Sequence, residues 1–251
     1  MCPMPNAPEK KRKDAYRDHT LRPLNCLLFV LPMLVVFQFG SAMYGSNLLA
    51  PRDLYKLLRY FGATAAYLPA MFVAVVLLAQ HVLRKDPWEL QPKVLAGMLG
   101  ESIIWMVPLI VMAQLSGRLV AHQALKPGSS MEGLFQQVLL AFGAGIYEEF
   151  IFRLVFISLV MMIFVDVFML KRDPTAVAAI LIAAIAFSLY HFSPGELSGG
   201  AIPWGGLIFR WLAGVYLGGL YVFRGYGIAV GAHVCYDIYA AVANFQSPIV
   251  N

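Results

Sequence analysis

The segment AGIYEEFIFRLVFI, residues 144–157, carries two adjacent carboxylates and an arginine inside an otherwise apolar run. Inserting any one of these charges singly at the centre of a bilayer costs about 2.5–3.5 kcal/mol. Such residues are found within membrane segments where they are paired or where they carry out a function. The segment therefore predicts both a membrane-spanning helix and a functional site within it.

The composition of the whole chain is that of a membrane protein. Of its 251 residues, 60% are hydrophobic and 13% are charged, whereas a soluble domain carries about twice that charged fraction. The net charge of +5 could suggest nucleic acid, but the basic residues are distributed as a membrane topology places them. The three cysteines, Cys2, Cys26 and Cys235, have the spacing of neither a zinc site nor a disulfide framework. We expect a lipid bilayer and no nucleic acid among the partners.

Seven apolar runs approach or exceed the ~20 residues that cross a bilayer core. They are Leu24–Tyr44, Tyr60–Leu83, Val94–Leu115, Leu134–Leu170, Ala176–Phe192, Trp204–Phe223 and Ile228–Phe245. This pattern predicts an all-α, polytopic transmembrane helical bundle of about seven spans that forms one membrane domain. Within it we distinguish a basic cytoplasmic tail (residues 1–23), N-terminal transmembrane helices (24–133) and catalytic-core helices (134–251).

The basic residues predict the orientation of the bundle. With the N-terminus inside, Lys and Arg occupy twelve positions on the inner segments and five on the outer segments, which favours an N-in, C-out topology. Because no apolar stretch precedes Leu24, the first span is expected to be an uncleaved signal anchor. We expect a multi-pass protein of a bacterial inner membrane.

The fourth apolar run is too long to cross the membrane as a straight helix. Residues 134–170 would extend about 55 Å against a hydrocarbon core of about 30 Å. The run must bend, tilt or break, and the glycines at Gly143 and Gly145 predict a hinge. Residues 134–142 would then form an interfacial helix.

Three motifs bring titratable side chains into the second half of the chain. Glu149 and Arg153 are spaced i,i+4, which places them on one helical face as an ion pair and leaves Glu148 about 100° away from that face. FSLYH at residues 187–191 and HVCYD at residues 233–237 follow, and the histidine and aspartate of the second are again spaced i,i+4. Either histidine alone could be a structural hydrogen-bonding group.

The order EExxxR, FxxxH, HxxxD resembles the CPBP family, the CAAX-protease and bacteriocin-processing group of glutamate intramembrane proteases. The resemblance covers about residues 141–241. It implies an endopeptidase that needs no metal or other cofactor, in which Glu148 and His191 activate a water. It further implies that Glu149 and Arg153 support the site.

In the same family the third motif forms an oxyanion hole, which the resemblance transfers to His233 and Asp237. The best-known CAAX proteases have Asn at the last position, and an ionised carboxylate cannot donate a hydrogen bond. Burial and the neighbouring Glu148 both disfavour a second negative charge there. We therefore expect Asp237 to work as the neutral acid, in the way that some active-site carboxylic acids do.

Other mechanisms are compatible with some of these residues. Glu148, His191 and His233 could form a metal site of two histidines and one carboxylate, although the chain has no HExxH motif. A serine mechanism lacks a GxSxG motif, and Cys235 lies on the opposite side of its helix from His233.

Other functions are also open. Buried Glu, His and Asp build the proton relays of transporters and channels, and the chain could be a non-catalytic immunity or scaffold protein. As an endopeptidase, it would act on a membrane-anchored or lipid-associated protein or peptide. Prenylated CAAX ends, leader peptides and C-terminal sorting signals are all possible substrates.

Two further expectations concern the packing of the spans. Glu101 and Arg210 are expected to be structural, buried against each other or against the backbone. His191 falls at the outer end of its predicted span, while His233 falls nearer the inner end of a parallel one. Either the boundaries differ from the prediction or the site is a deep cavity.

Overall fold

The computed structural model describes residues 16–45, 48–60, 62, 67–116, 131–192 and 204–246. Throughout these ranges the regular structure is helical and no strand occurs. The helices are α1 Pro23–Tyr44, α2 Leu49–Tyr60, α3 Leu68–Arg84, α4 Pro92–Leu115, α5 Met131–Val167, α6 Arg172–Tyr190, α7 Trp204–Arg224 and α8 Tyr226–Gln246. Most of the predicted basic tail, with Cys2, lies outside the described residues.

Six of these helices, α1 and α4 to α8, are long and apolar enough to cross a membrane. Helix α3 is apolar but shorter, with 17 residues. The prediction of a polytopic helical bundle is confirmed, and the chain is an integral membrane protein. The second predicted span began too early, since α3 starts at Leu68 rather than Tyr60.

Prolines mark where several helices begin. Pro23 and Pro92 occupy the first turns of α1 and α4. Backbone N–H groups in the first turn of a helix have no intrahelical acceptor, so the absence of this group in proline costs no hydrogen bond there. Helix α1 ends at Tyr44 and is followed by Gly45, whose positive φ of 74° is a conformation that glycine adopts without strain.

Helix α2 was not predicted, because the sequence analysis assigned its residues to an outer connection. Its pattern is nevertheless helical: Ala50 and Leu54 are buried, while Arg52, Lys56 and Arg59 recur on the exposed face at spacings of four and three. A helix of 12 residues is too short to span a bilayer and too charged to give a hydropathy signal. It lies between α1 and α3 along the chain.

Helix α5 runs without a break from Met131 to Val167, so the prediction of a separate interfacial helix over residues 134–142 is wrong, and Gly143 and Gly145 mark no helix boundary. The two glycines serve close packing instead. A Cβ atom at Gly145 would lie 2.5 Å from the side chain of Val234 in α8. The helix does change geometry, because Phe150–Ile157 is π-helical, a local form that is often found at functional sites.

Glu101 in α4 holds together the side of the bundle on which the chain begins. Its carboxylate accepts hydrogen bonds from Arg224 Nε and Nη2 at 2.5 and 2.7 Å, from Trp105 at 2.9 Å and from the Tyr16 hydroxyl at 3.0 Å. Burial, together with the negative charge of Glu101, raises the pKa of Tyr16 to about 12. The expected pairing of Glu101 with Arg210 is therefore wrong.

Arg210 lies elsewhere, with its guanidinium carbon 5.7 Å from the centre of the Phe192 ring. Glu101 pairs instead with Arg224, the last residue of α7, which lies at the same end of the bundle. A further contact at that end is the hydrogen bond from Arg84 Nη1 to the Leu21 carbonyl, 3.0 Å. The side of the membrane on which this end lies stays a prediction.

Candidate active site

Glu148 and Glu149 are the last two residues of the α-helical part of α5. The side chain of Glu149 is fully buried and that of Arg153 is 1% exposed, with Arg153 Nη1 3.1 Å from Glu149 Oε1. The structure thus contains the i,i+4 ion pair that the spacing predicts. Pairing within one helix lowers the cost of placing either charge at this depth.

Arg153 also connects α5 to the two helices that follow. Its guanidinium carbon lies 4.4 Å from the centre of the Phe187 ring in α6, a cation–π contact, and its Nη2 donates to the Gly214 carbonyl of α7 at 3.5 Å. Phe187 is the first residue of the FSLYH motif, and sequence analysis assigned it no function. Its position in the motif was the signal that it belongs to the site.

His191 follows the last residue of α6 and faces Glu148. Its Nδ1 lies 2.8 Å from the Phe187 carbonyl, which can only accept, so Nδ1 carries the proton. In the neutral imidazole Nε2 is then an acceptor, and it lies 3.4 Å from Glu148 Oε1. Two acceptors that face each other in this way share a proton or orient the hydrogens of a water.

His233 in α8 approaches the carboxylate pair from the other side. Its Nδ1 donates to Glu149 Oε1 at 2.8 Å, the same oxygen that Arg153 contacts. Its Nε2 lies 3.5 Å from Asp237 Oδ2 and 4.0 Å from Glu148 Oε2. Glu149 therefore fixes the orientation of the imidazole, whose free nitrogen is directed between the other two carboxyl groups.

The two adjacent glutamates differ in how much of their side chains is exposed. Side chains of Glu148, Asp237 and His191 are 11%, 15% and 23% exposed, whereas Glu149 has no exposed surface. Part of the Glu148 side chain is therefore solvent-accessible, whereas the Glu149 side chain is completely enclosed by the protein.

The structure brings all six sequence-predicted residues together. The expected mismatch in depth between the two histidines does not arise, since both lie within 4.0 Å of Glu148. Positions along predicted spans were a poor guide to depth, because the helices of a bundle need not begin at the same level.

The positions of these side chains bear on the metal alternative. Among the residues that the structure describes, no three His, Cys, Asp or Glu side chains are placed so that they could hold one metal ion. Two histidine nitrogens do face Glu148, so the question is suited to a direct test.

The comparisons with known proteins bear on the same region. Residues 130–239 match the family model described as "Rce1-like: Type II CAAX prenyl endopeptidase Rce1-like". The match contains all three motifs, and the resemblance expected from them is confirmed over these residues. No curated protein and no solved structure matches the chain significantly. The family that this model describes is one of CAAX-type proteases, which are hydrolases.

The burial of the ion pair predicts a difference in stability between the two glutamates. Glu149→Gln or Arg153→Leu leaves a buried charge without its partner, and we expect the free energy of unfolding to fall by about 3–5 kcal/mol. Glu148→Gln, at the adjacent and partly exposed position, should change it far less. Thermal or denaturant unfolding of the purified protein in detergent measures both. Equal losses at the two positions would contradict the assignment of Glu149 as the structural carboxylate.

Proposed function

We propose that this chain, whose residues 130–239 match the type II CAAX prenyl endopeptidase model, is a glutamate-type intramembrane endopeptidase. It would hydrolyse a peptide bond in a membrane-anchored or lipid-associated protein or peptide. The observation that carries the proposal is the accessible Glu148, which faces His191 Nε2 at 3.4 Å beside a fully buried glutamate–arginine pair.

Glu148 and His191 are suited to activate a water. Each presents an acceptor atom toward the other, so a water bound between them has its hydrogens directed at Glu148 Oε1 and His191 Nε2. Glu148 takes one proton as general base while the water oxygen attacks the scissile carbonyl carbon. The charged groups next to Glu148 are preorganised, because burial fixes the side chains of Glu149 and Arg153.

The tetrahedral intermediate carries a negative charge that needs donors. Because His233 Nδ1 donates to Glu149, Nε2 carries a proton only when the ring is an imidazolium, and it then points toward the reaction site. With His233 charged, two cations balance Glu148 and Glu149, and a neutral Asp237 adds a second donor without adding charge. The pair of His233 and Asp237 is therefore the proposed oxyanion hole.

The reaction closes with transfer of the proton held by Glu148 to the amine nitrogen as the carbon–nitrogen bond breaks. The products are a carboxylic acid and an amine, and Glu148 returns to its ionised form. In water the acid gives its proton to the amine, so the two products separate as a carboxylate and an ammonium group. No group outside the six named residues and one water is required for this sequence of steps.

The family match favours this function over a proton-coupled transporter or channel and over a non-catalytic immunity or scaffold protein. The description of the family names a CAAX prenyl endopeptidase, so a prenylated CAAX peptide is the first substrate to test. Leader peptides and C-terminal sorting signals are the next. We further propose an N-in, C-out orientation in a bacterial inner membrane.

Replacing Glu148 tests the central assignment. Glu148→Gln removes the base and keeps the size of the side chain, so cleavage by the purified, folded protein should be abolished. Glu132→Gln, an exposed glutamate at the start of the same helix, is the matched control and should cleave at the wild-type rate. Cleavage of a membrane-anchored reporter in liposomes measures both, and an active Glu148→Gln protein rules out the mechanism.

The proposed mechanism uses no metal. Purified protein should therefore keep its cleavage rate in EDTA or phenanthroline, and elemental analysis should find no stoichiometric zinc, cobalt or iron. If chelation stops cleavage and one metal restores it, Glu148, His191 and His233 are metal ligands rather than a base and its partners.

Substitutions of Asp237 test whether it donates a hydrogen bond as a neutral acid or acts as an anion. Because the donor is present only while Asp237 is protonated, the cleavage rate should fall as the pH rises through its titration. Asp237→Asn donates at every pH, so it should stay active and lose this alkaline decline. Asp237→Ala should lose about a hundredfold or more in rate. If the Asn variant is as inactive as the Ala variant, Asp237 acts as an anion.

A further inference from the structure

Helix α2 lies outside the family match and yet reaches the end of the helix that precedes His191. It packs against α3 and α5, and the side chains of Ala50 and Leu54 on its inner face are 1% and 5% exposed. Helix α2 is thus held on the bundle by its apolar residues. The polar residues of α2 are therefore not needed to hold the helix in place, and their contacts can serve another purpose.

Asp53 on α2 makes such a contact. Its Oδ2 accepts a hydrogen bond from the Tyr190 hydroxyl at 2.7 Å, across 137 positions of the chain. Its Oδ1 accepts from Lys56 at 3.2 Å and from Arg52 at 3.3 Å. Each carboxylate oxygen therefore has its own donors, and the two basic side chains fix the direction in which Oδ2 points.

Asp53 is ionised in the neutral pH range. Burial by itself raises the pKa of this carboxyl, but the hydrogen bonds from Tyr190, Lys56 and Arg52 lower it by more, so that it lies below its ordinary value. A hydrogen bond to a charged acceptor is stronger than one between neutral groups. The contact between α2 and Tyr190 is therefore a strong one.

Tyr190 is the last residue of α6, and His191 follows it directly. Helix ends have the lowest local stability of a helix, so a side chain at this position needs support from elsewhere. The Tyr190 ring lies 5.4 Å from that of Phe152 and 6.1 Å from that of His191, in both cases steeply inclined. An anchored Tyr190 thus limits the positions open to the imidazole.

We infer that Asp53 is a positioning residue for the proposed reaction: it holds Tyr190, and through it the end of α6, so that His191 Nε2 stays directed at Glu148. The inference rests on the proposed function, because it assigns a purpose to the alignment of His191. Within the part of the chain that the structure describes, Asp53 contacts the FSLYH motif through its hydrogen bond with Tyr190.

A positioning residue of this kind affects the rate constant more than substrate binding. A misplacement of about 1 Å in a catalytic group can cost about a hundredfold in rate. We therefore expect Asp53→Ala and Tyr190→Phe each to lower kcat by about 10-fold or more while KM stays within about twofold. Because both changes remove one hydrogen bond, the double variant should be no slower than the slower single variant.

Two variants separate positioning from a general loss of stability. Asp53→Asn keeps an oxygen that accepts from the tyrosine hydroxyl, and it should restore most of kcat. Tyr221→Phe removes the 2.8 Å hydrogen bond between Tyr221 and Ser158, which links α7 to α5 away from the six proposed site residues. It should leave kcat unchanged. Melting temperatures of all variants are measured alongside the kinetics.

The outcomes distinguish this inference from the proposed function. If wild-type protein cleaves a prenylated CAAX peptide or another membrane-anchored reporter, Glu148→Gln does not, and Asp53→Ala and Tyr190→Phe have wild-type kcat, the positioning assignment is wrong and the function stands. Multiplicative effects in the double variant also overturn it. So does a fall in kcat for Tyr221→Phe that is as large as the fall for Asp53→Ala. An active Glu148→Gln protein overturns the proposed mechanism instead.

Discussion

The arrangement of the site depends on one buried oxygen atom, Glu149 Oε1. It accepts from His233 Nδ1 at 2.8 Å and lies 3.1 Å from Arg153 Nη1. Through the first contact it orients the imidazole of α8, and through the second it holds the guanidinium against Phe187 of α6 and the Gly214 carbonyl of α7. A carboxylate without exposed surface is thus the point at which four helices are joined, while its neighbour in the sequence stays accessible.

Such a convergence needs helices that approach one another closely. In a bilayer no hydrophobic effect drives the spans together, so small residues at the contacts and buried polar groups contribute most of the specificity. A Cβ atom at Gly214 would lie 2.9 Å from Ala184 Cα, which means that α6 and α7 touch backbone to backbone at the level of the arginine. The same glycine leaves its carbonyl within reach of Arg153.

Local geometry was predictable from the sequence, and long-range partners were not. The ion pair of Glu149 and Arg153 follows from helical spacing alone, and the spans follow from hydropathy. Glu101 pairs with Arg224 rather than with Arg210, because hydropathy gives no information on which ends of the spans meet. Helix α2 was missed since its 12 residues give an amphipathic pattern and no apolar run. The glycines of α5 were interpreted as a hinge, although a glycine in a helix permits close packing as readily as bending.

The confinement of the ion pair to a single helix has a consequence for biosynthesis. Glu149 and Arg153 enter the bilayer together, so the translocating machinery meets a paired unit rather than two isolated charges, and α5 can insert before α6, α7 and α8 have been synthesised. The imidazole that completes the pair arrives only with α8, the last of the helices that the structure describes. An unfinished chain therefore contains the two glutamates but lacks the assembled constellation, so the six proposed site residues cannot come together until synthesis has passed Asp237.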